Sequence, residues 1–270
     1  RAIAERIEAA AAGLSGFIGL LVAQKTVGVQ AMNAAMRCGH AYVPLDADDP
    51  EERLRFVLRD CAPLAILADE PSVARARALA GAGCAVVTIG GDPSFAMPPV
   101  APDALANVFY TSGSTGAPKG VMHTHDATLF YVDAFVRKLA IGGDDRMSLL
   151  FSLNFAASVI GVHGAFLHGA TLCAYDMRRD GFPGLARWLE RERITVVHTI
   201  PTVFRELCAR LGPGEKLPHL RAIDMGGEAA FASDAAKFLE HTNDDAILVN
   251  HLASTEVQVI AQHAIPHRGA

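Results

Sequence analysis

The 270-residue sequence lacks the features that mark several large classes of protein. Its five cysteines stand far apart, without the Cys-x-x-Cys spacing of a metal site, which favours reduced thiols and a cytoplasmic location. No apolar run approaches the ~20 residues that a membrane-spanning helix requires, and the first residues are not organised like a signal peptide. A net charge of -5 leaves no basic stripe for a polyanion. We therefore expect no nucleic acid and no membrane among its partners.

Hydrophobic residues make up 51% of the sequence, enough for one large core or two smaller ones, and two is the better expectation at this length. Short runs rich in Val, Ile, Leu and Phe alternate with amphipathic segments. This alternation predicts an α/β fold of two doubly wound lobes, each a mostly parallel sheet flanked by helices. A Gly-Gly break at 142–143 divides the predicted lobes into residues 1–142 and 143–270. The predicted strands are 16–23, 64–68, 85–89, 106–111, 146–152, 171–175, 195–200, 220–225 and 246–251, and the helices include 26–38, 51–61, 182–193 and 201–211.

A run of small, hydroxylated and flexible residues from Tyr110 to Gly120 is the most informative segment, and it follows a predicted buried strand. Its glycines let backbone N–H groups turn towards an anion, and its hydroxyls add neutral donors. Lys119 adds a mobile positive charge. The segment is therefore a candidate phosphate-binding loop, with these binding residues: Thr111, Ser112, Gly113, Ser114, Thr115 and Gly116.

The spacing of this loop differs from the Walker A pattern, because Pro118 stands where that pattern requires its second glycine. The segment resembles the phosphate-binding signature of the adenylate-forming (AMP-binding) superfamily, and most of all that of the adenylation domains of nonribosomal peptide synthetases. The run Tyr42-Val43-Pro44-Leu45-Asp46 is similar to a second, structural motif of these domains. The resemblance implies ATP binding and two α/β lobes. Since the sequence starts at Arg1 without a methionine, we expect an N-terminal core fragment that lacks the C-terminal domain.

A third segment, Phe155 to Val159, resembles the family motif that is commonly Phe-Asp-Ala-Ser-Val. The aspartate that pairs with the ammonium group of an α-amino acid in relatives falls on Ala156, whose methyl group cannot compensate a buried charge. The resemblance therefore implies a small carboxylic acid other than an ordinary α-amino acid: a keto, hydroxy, aryl, fatty or β-amino acid. The same register implies a pocket lined by Ala156, Ala157, Ile160, His198, Asp224, Gly226, His251, Val259 and Ile260.

The polar residues of this implied pocket each have two interpretations. Asp224 is a candidate partner for an amino group placed elsewhere on the substrate, or it caps the end of a strand. His198 and His251 are candidate substrate ligands, or they are ordinary core or surface histidines. Two histidines and one aspartate in a small apolar lining would match the few convergent polar groups that ligand sites usually have.

Two further segments resemble nucleotide-binding motifs of the family. The run Gly226-Gly227-Glu228 is similar to the adenine-contacting turn, although a plain strand–helix turn has the same character. Asn250 to Glu256 resembles the fifth motif, usually Asn-x-Tyr-Gly-Pro-Thr-Glu, which implies that Thr255 contacts the α-phosphate and that Glu256 holds Mg²⁺. Leu252 stands where an aromatic ring usually lies against adenine, and loss of that stacking would weaken nucleotide binding by ~1 kcal/mol.

The resemblance implies an ATP-dependent ligase. A carboxylic acid and ATP would form an acyl adenylate and pyrophosphate, and the acyl group would then pass to the phosphopantetheine thiol of a carrier protein. Lys119, Thr255 and Glu256 are the candidate catalytic residues, and a carrier protein or adjacent synthetase domains are the implied partners. Two alternatives stay open at this point: an acyl- or aryl-CoA ligase, with CoA as the acceptor, and a non-catalytic adenylation-like binding module of a larger synthetase.

Overall fold

The computed structural model describes residues 3–90, 99–112 and 117–267. The chain divides into two compact units, one of Arg1–Phe130 with Ser152–Ala156 and one of Tyr131–Phe151 with Ala157–Ala270. The break at 142–143 forms a turn inside the second unit, because the carboxylate of Asp145 accepts hydrogen bonds from the Gly142 N–H (3.0 Å) and from Arg221 (2.8 Å). The lobe limits 1–142 and 143–270 stay a prediction.

The first unit contains a six-stranded sheet with helices between its strands. The elements are α1 (Ile3–Ala11), β1 (Phe17–Leu21), α2 (Lys25–Arg37), β2 (Ala41–Leu45), α3 (Glu51–Cys61), β3 (Ala65–Ala68), a 3-10 helix (Glu70–Ser72), α4 (Val73–Leu79), β4 (Ala85–Thr88), β5 (Leu105–Ser112) and β6 (Pro118–Thr124). The strand order is β4-β3-β1-β2-β5-β6, and every pair is parallel except β5–β6. Helix α5 (His125–Leu139) begins in this unit and continues in the second.

Burial explains why these segments form a sheet covered by helices. All four residues of β3 are buried, as expected of a parallel strand with both faces covered. Helix α3 buries Leu54, Val57, Leu58 and Cys61, which lie on one face because they follow the 3.6-residue helical period. They pack with the strand residues into one apolar core.

The second unit repeats this architecture. After α5 come β7 (Arg146–Leu149), α6 (Ala157–His168), β8 (Thr171–Ala174), α7 (Met177–Asp180), α8 (Leu185–Arg191), β9 (Val196–Thr199), α9 (Pro201–Cys208), β10 (Ala222–Gly226), α10 (Ala232–His241), β11 (Ile247–Ser254) and β12 (Gln258–Pro266). The strand order is β12-β11-β10-β9-β7-β8, parallel except for β11–β12. Trp188, Phe204 and Phe238 belong to its apolar core.

The predicted fold class is confirmed: two mostly parallel sheets flanked by helices. The nine predicted strands each correspond to an observed strand, while β2, β6 and β12 fall outside them. Of these three, β6 and β12 are antiparallel strands at a sheet edge. An edge strand needs only one apolar face, so its sequence lacks the continuous apolar run that marks a buried parallel strand.

Candidate functional site

The candidate phosphate loop connects the antiparallel strands β5 and β6. Thr111 pairs with Lys119 and Ser112 pairs with Pro118, so the structure supports the loop from both ends rather than from β5 alone. Lys119 is exposed on β6 and makes no ion pair within the described ranges. The predicted binding residues Gly113, Ser114, Thr115 and Gly116 lie outside the described residues.

Tyr110 anchors this hairpin to helix α3. Its hydroxyl donates a 2.6 Å hydrogen bond to the Asp60 carboxylate, and its backbone carbonyl accepts one from Arg53 at 3.4 Å. A Cβ placed on Gly120 would lie 3.1 Å from the Tyr110 ring, so glycine allows the ring to lie across β6. Burial and the hydrogen bond to Asp60 raise the pKa of Tyr110, which keeps the phenol protonated.

Three polar side chains meet on one face of the second sheet. Nε2 of His198 lies 3.3 Å and Nδ1 of His251 lies 3.0 Å from Oδ2 of Asp224. The side chains are 2%, 5% and 0% exposed, respectively. The two nitrogens and both Asp224 oxygens have no hydrogen-bond partner among the described residues. The structure therefore brings together the three polar residues of the predicted pocket as one cluster, which we call the His–Asp–His cluster.

Strand register explains why these side chains converge. Asp224 of β10 pairs directly with His198 of β9, and Gly226, two residues along β10 on the same face, pairs with His251 of β11. Gly226 has no side chain, and the His251 ring occupies that space: a Cβ on Gly226 would lie 2.0 Å from Nε2 of His251. The glycine is what allows the His251 ring to reach towards Asp224.

The surroundings of the cluster are aromatic and apolar. The ring of His198 lies 4.7 Å from that of Phe151 and 5.4 Å from that of Phe135, measured between centroids. Helix α6 passes close to the same ring, since a Cβ on Gly161 would lie 3.8 Å from Nδ1 of His198. Burial lowers the pKa of His198 to about 4, against the opposing effect of the Asp224 charge. His198 is therefore a neutral imidazole at neutral pH.

The apolar residues of the predicted pocket have different environments. Ala156 belongs to the first unit and is 6% exposed, while Ile160 of α6 is buried and Ala157 is half-buried. On the edge strand β12, Val259 is half-buried and Ile260 is 57% exposed. Their assignment to a substrate pocket stays a prediction.

The Gly-Gly-Glu turn follows β10. Gly227 has a φ of +81°, a conformation that favours glycine. The Glu228 carboxylate accepts hydrogen bonds from the backbone N–H (3.0 Å) and hydroxyl (2.6 Å) of Thr202, in the first turn of α9. Glu228 thus has a clear structural role, because the first N–H groups of a helix lack partners within it. An adenine contact at this turn stays a prediction.

Thr255 and Glu256 lie in the turn between the antiparallel strands β11 and β12. The Glu256 carboxylate is exposed and has no hydrogen-bond or ion-pair partner among the described residues. Leu252, the predicted adenine neighbour, is 62% exposed on β11. The geometry thus leaves Glu256 available to a ligand.

Sequence reasoning placed the two histidines and Asp224 in one predicted pocket, but it missed that both imidazoles lie within 3.3 Å of the Asp224 carboxylate. Each stands near the end of an apolar strand run, which is the available signal, but their pairing depends on the register of three separate strands. It also missed Thr202 as the partner of Glu228. All five cysteines are free thiols. Burial raises the pKa of Cys38, Cys61 and Cys208 to about 12 and also raises the pKa of Cys84 and Cys173, which disfavours the reactive thiolate form.

A family model described as AMP-binding enzyme matches residues 1–270. Malpinin synthetase from Mortierella alpina is 32% identical over 241 residues, covering 86% of this chain and 3% of the synthetase. An L-proline--[L-prolyl-carrier protein] ligase from Streptomyces coelicolor is 31% identical over 263 residues, covering 87% of this chain and 49% of the ligase. The chain thus spans half or less of the length of these relatives.

The crystal structure of IdnL7 has a similar fold, with a TM-score of 0.83 and 30% identity over 98% of this chain and 56% of that chain. No helix in the described part of the chain has the length and apolar character needed to cross a membrane. The predicted resemblance to adenylation domains of nonribosomal peptide synthetases is confirmed by these similarities.

Proposed function

Because the chain belongs to the family of AMP-binding enzymes, we propose that it activates a carboxylic acid with ATP, forming an acyl adenylate and releasing pyrophosphate. A carboxylate is ionised at neutral pH, so its attack on the α-phosphorus needs no general base. Alignment of the two reactants and neutralisation of phosphate charge then supply the catalysis. Neutralising the phosphate charge requires cationic and hydrogen-bond-donating side chains that helices or strands hold in place.

The observation that carries the proposal is the β5–β6 hairpin. It holds Thr111 and Lys119 opposite each other at the two ends of the candidate phosphate loop. The Lys119 ammonium group is exposed and makes no ion pair among the described residues, so no carboxylate of these residues competes with a phosphate for it. Lys119 would neutralise charge on the β- and γ-phosphates, and Thr111 and Ser112 would add hydroxyl donors.

Glu256 fits the Mg²⁺ that the family implies. Mg²⁺ prefers oxygen ligands and commonly binds through one or two carboxylates together with substrate phosphates. The exposed Glu256 carboxylate meets this requirement, and Thr255 beside it would donate to the α-phosphate. When bound, the ion would neutralise phosphate charge.

The proposed substrate is an acid without an α-ammonium group, because such a group would need a carboxylate partner at position 156. Ala156 is buried and offers no charge there, and an unpaired buried ammonium would cost several kcal/mol. This favours a keto, hydroxy, aryl, fatty or β-amino acid. The name of the ligase from Streptomyces coelicolor, which specifies a carrier protein, supports a carrier-protein phosphopantetheine as the acceptor of the acyl group.

The test is substrate-dependent exchange of pyrophosphate into ATP, measured on the natural protein that contains these residues. We expect exchange with at least one acid of the classes above. We expect Glu256→Gln to abolish it, because the substitution removes the charge that would hold Mg²⁺ while the turn keeps its length. Glu206→Gln, at a half-buried residue of α9 whose carboxylate pairs with Arg210, is the control and should leave exchange unchanged.

Absence of exchange across a broad panel of acids would refute the ligase and favour a non-catalytic binding module. If exchange occurs, release of AMP on addition of CoA or of a phosphopantetheinylated carrier protein distinguishes the two acceptors.

A further inference from the structure

The tip of the β5–β6 hairpin extends beyond the rest of the first sheet. Strand β2 pairs with β5 at Tyr42 and Asn107 and ends at Leu45, three residues after Tyr42. In this parallel register Leu45 lies at the level of Tyr110, so β5 beyond Tyr110 has only β6 as a sheet neighbour within residues 3–90, 99–112 and 117–267. A two-stranded ribbon twists strongly and is marginally stable by itself. The direction of the ribbon therefore depends on contacts outside the sheet.

Helix α3 supplies such contacts at the residue where the ribbon begins. Asp60 accepts a 2.6 Å hydrogen bond from the Tyr110 hydroxyl, and Arg53 donates one to the Tyr110 backbone carbonyl at 3.4 Å. Arg53 and Asp60 are seven residues apart, close to two helical turns, so they lie on the same face of α3. Nε of Arg53 also donates to the Asp49 carboxylate at 3.1 Å. One face of α3 thus holds both the side chain and the backbone of Tyr110.

We propose that Asp60 is a positioning residue for ATP. Through Tyr110 it holds the β5–β6 ribbon, and with it the candidate phosphate loop, in the place where the loop binds the β- and γ-phosphates. The inference rests on the proposed adenylation, and it adds a residue that lies outside every segment resembling a family motif. It also gives α3 a part in nucleotide binding.

The position of Tyr110 in the chain explains how Asp60 acts on the loop. Tyr110 stands two residues before Ser112, the last residue of β5, so a displacement of its ring shifts the start of the loop. Misplacing binding groups by about 1 Å is enough to impair a reaction that depends on alignment. Tyr110 is half-buried and packs against the apolar core of the first unit, while Asp60 is exposed. Tyr110→Phe therefore keeps the packing of the ring and removes only the hydroxyl.

The test measures ATP binding by calorimetry, in the presence of Mg²⁺, and pyrophosphate exchange on the natural protein that contains these residues. We expect Tyr110→Phe and Asp60→Ala each to weaken ATP binding and to raise the KM for ATP about three- to tenfold, the range set by the net value of one hydrogen bond. The KM for the acid should not change. Because both substitutions remove the same hydrogen bond, the double variant should lose no more than either single variant. Asp60→Asn keeps an acceptor oxygen and should retain most of the binding.

Tyr175→Phe is the matched control in the second unit. It also removes a hydroxyl that donates a hydrogen bond, at 2.7 Å to the backbone carbonyl of Gly181, and it should leave ATP binding unchanged. Urea unfolding checks that each variant folds.

The inference fails if the unmodified protein binds no ATP, or if folded Tyr110→Phe binds ATP as tightly as the unmodified protein. It also fails if the effects of the two single substitutions multiply in the double variant. Calorimetry needs no turnover, so the two proposals are tested separately. Absence of exchange with every acid, together with weaker ATP binding by both single variants, would refute the adenylation and support the role of Asp60.

Discussion

At the scale of single residues, Gly226 decides whether the His251 ring can take its position. We predict that Gly226→Ala lowers the free energy of unfolding by ~1–3 kcal/mol, the usual cost of overpacking, because its Cβ would lie 2.0 Å from the ring. Urea unfolding measures this. Gly164→Ala is the matched control: its Cβ would lie 3.4 Å from Val136, an ordinary contact, and alanine is favoured in a helix by up to ~1 kcal/mol. Equal destabilisation by both substitutions would contradict the prediction.

Ala156 is the residue from which the class of acid is inferred. We predict that Ala156→Asp raises pyrophosphate exchange with an α-amino acid, relative to the matching α-hydroxy acid, by at least about tenfold, since a carboxylate would then compensate the ammonium group. Asparagine has nearly the same size as aspartate but no charge, so Ala156→Asn should not shift this ratio. An unchanged ratio in a folded Ala156→Asp protein would show that the substrate lies elsewhere.

At the scale of elements, an ion pair connects helices α9 and α10. Arg205 donates two hydrogen bonds to Asp234, at 2.8 and 2.7 Å, and the Asp234 carboxylate also accepts from the Phe231 N–H at the start of α10. The hydrogen bonds from Arg205 lower the pKa of Asp234 and outweigh the opposing effect of burial. Asp234 therefore prefers its charged form in the folded state.

We predict that Asp234→Asn lowers the free energy of unfolding at pH 7. A carboxylate with a lowered folded-state pKa stabilises the fold above its unfolded pKa of ~3.9, and this stabilisation is lost as the pH falls through the folded-state pKa. The difference between the two proteins should therefore shrink below about pH 4, which urea unfolding across pH checks. Asp133→Asn is the control. Because its ion-pair partner Arg137 is exposed on α5, this substitution should change the free energy of unfolding little at any pH.

At the scale of the whole molecule, the two units have the same sheet architecture. Each is a parallel sheet that ends in an antiparallel pair, β5–β6 in one and β11–β12 in the other. The residues proposed to meet the nucleotide lie on or beside these hairpins: Thr111, Ser112 and Lys119 in the first unit, Thr255 and Glu256 in the second. Two consecutive antiparallel strands need only a short connection, which places the signature residues at a defined edge of each sheet.

The sequence alone determined the fold class, most element positions and the candidate nucleotide residues. These depend on local information: apolar runs, the helical period of α3, and the spacing of small and hydroxylated residues around Lys119. Only the tertiary structure decided that the turn at 142–143 belongs to the second unit and that Glu228 caps α9. It also decided that His198, Asp224 and His251 meet, because strand register joins residues far apart in the chain, and no local pattern specifies which residues become opposite neighbours.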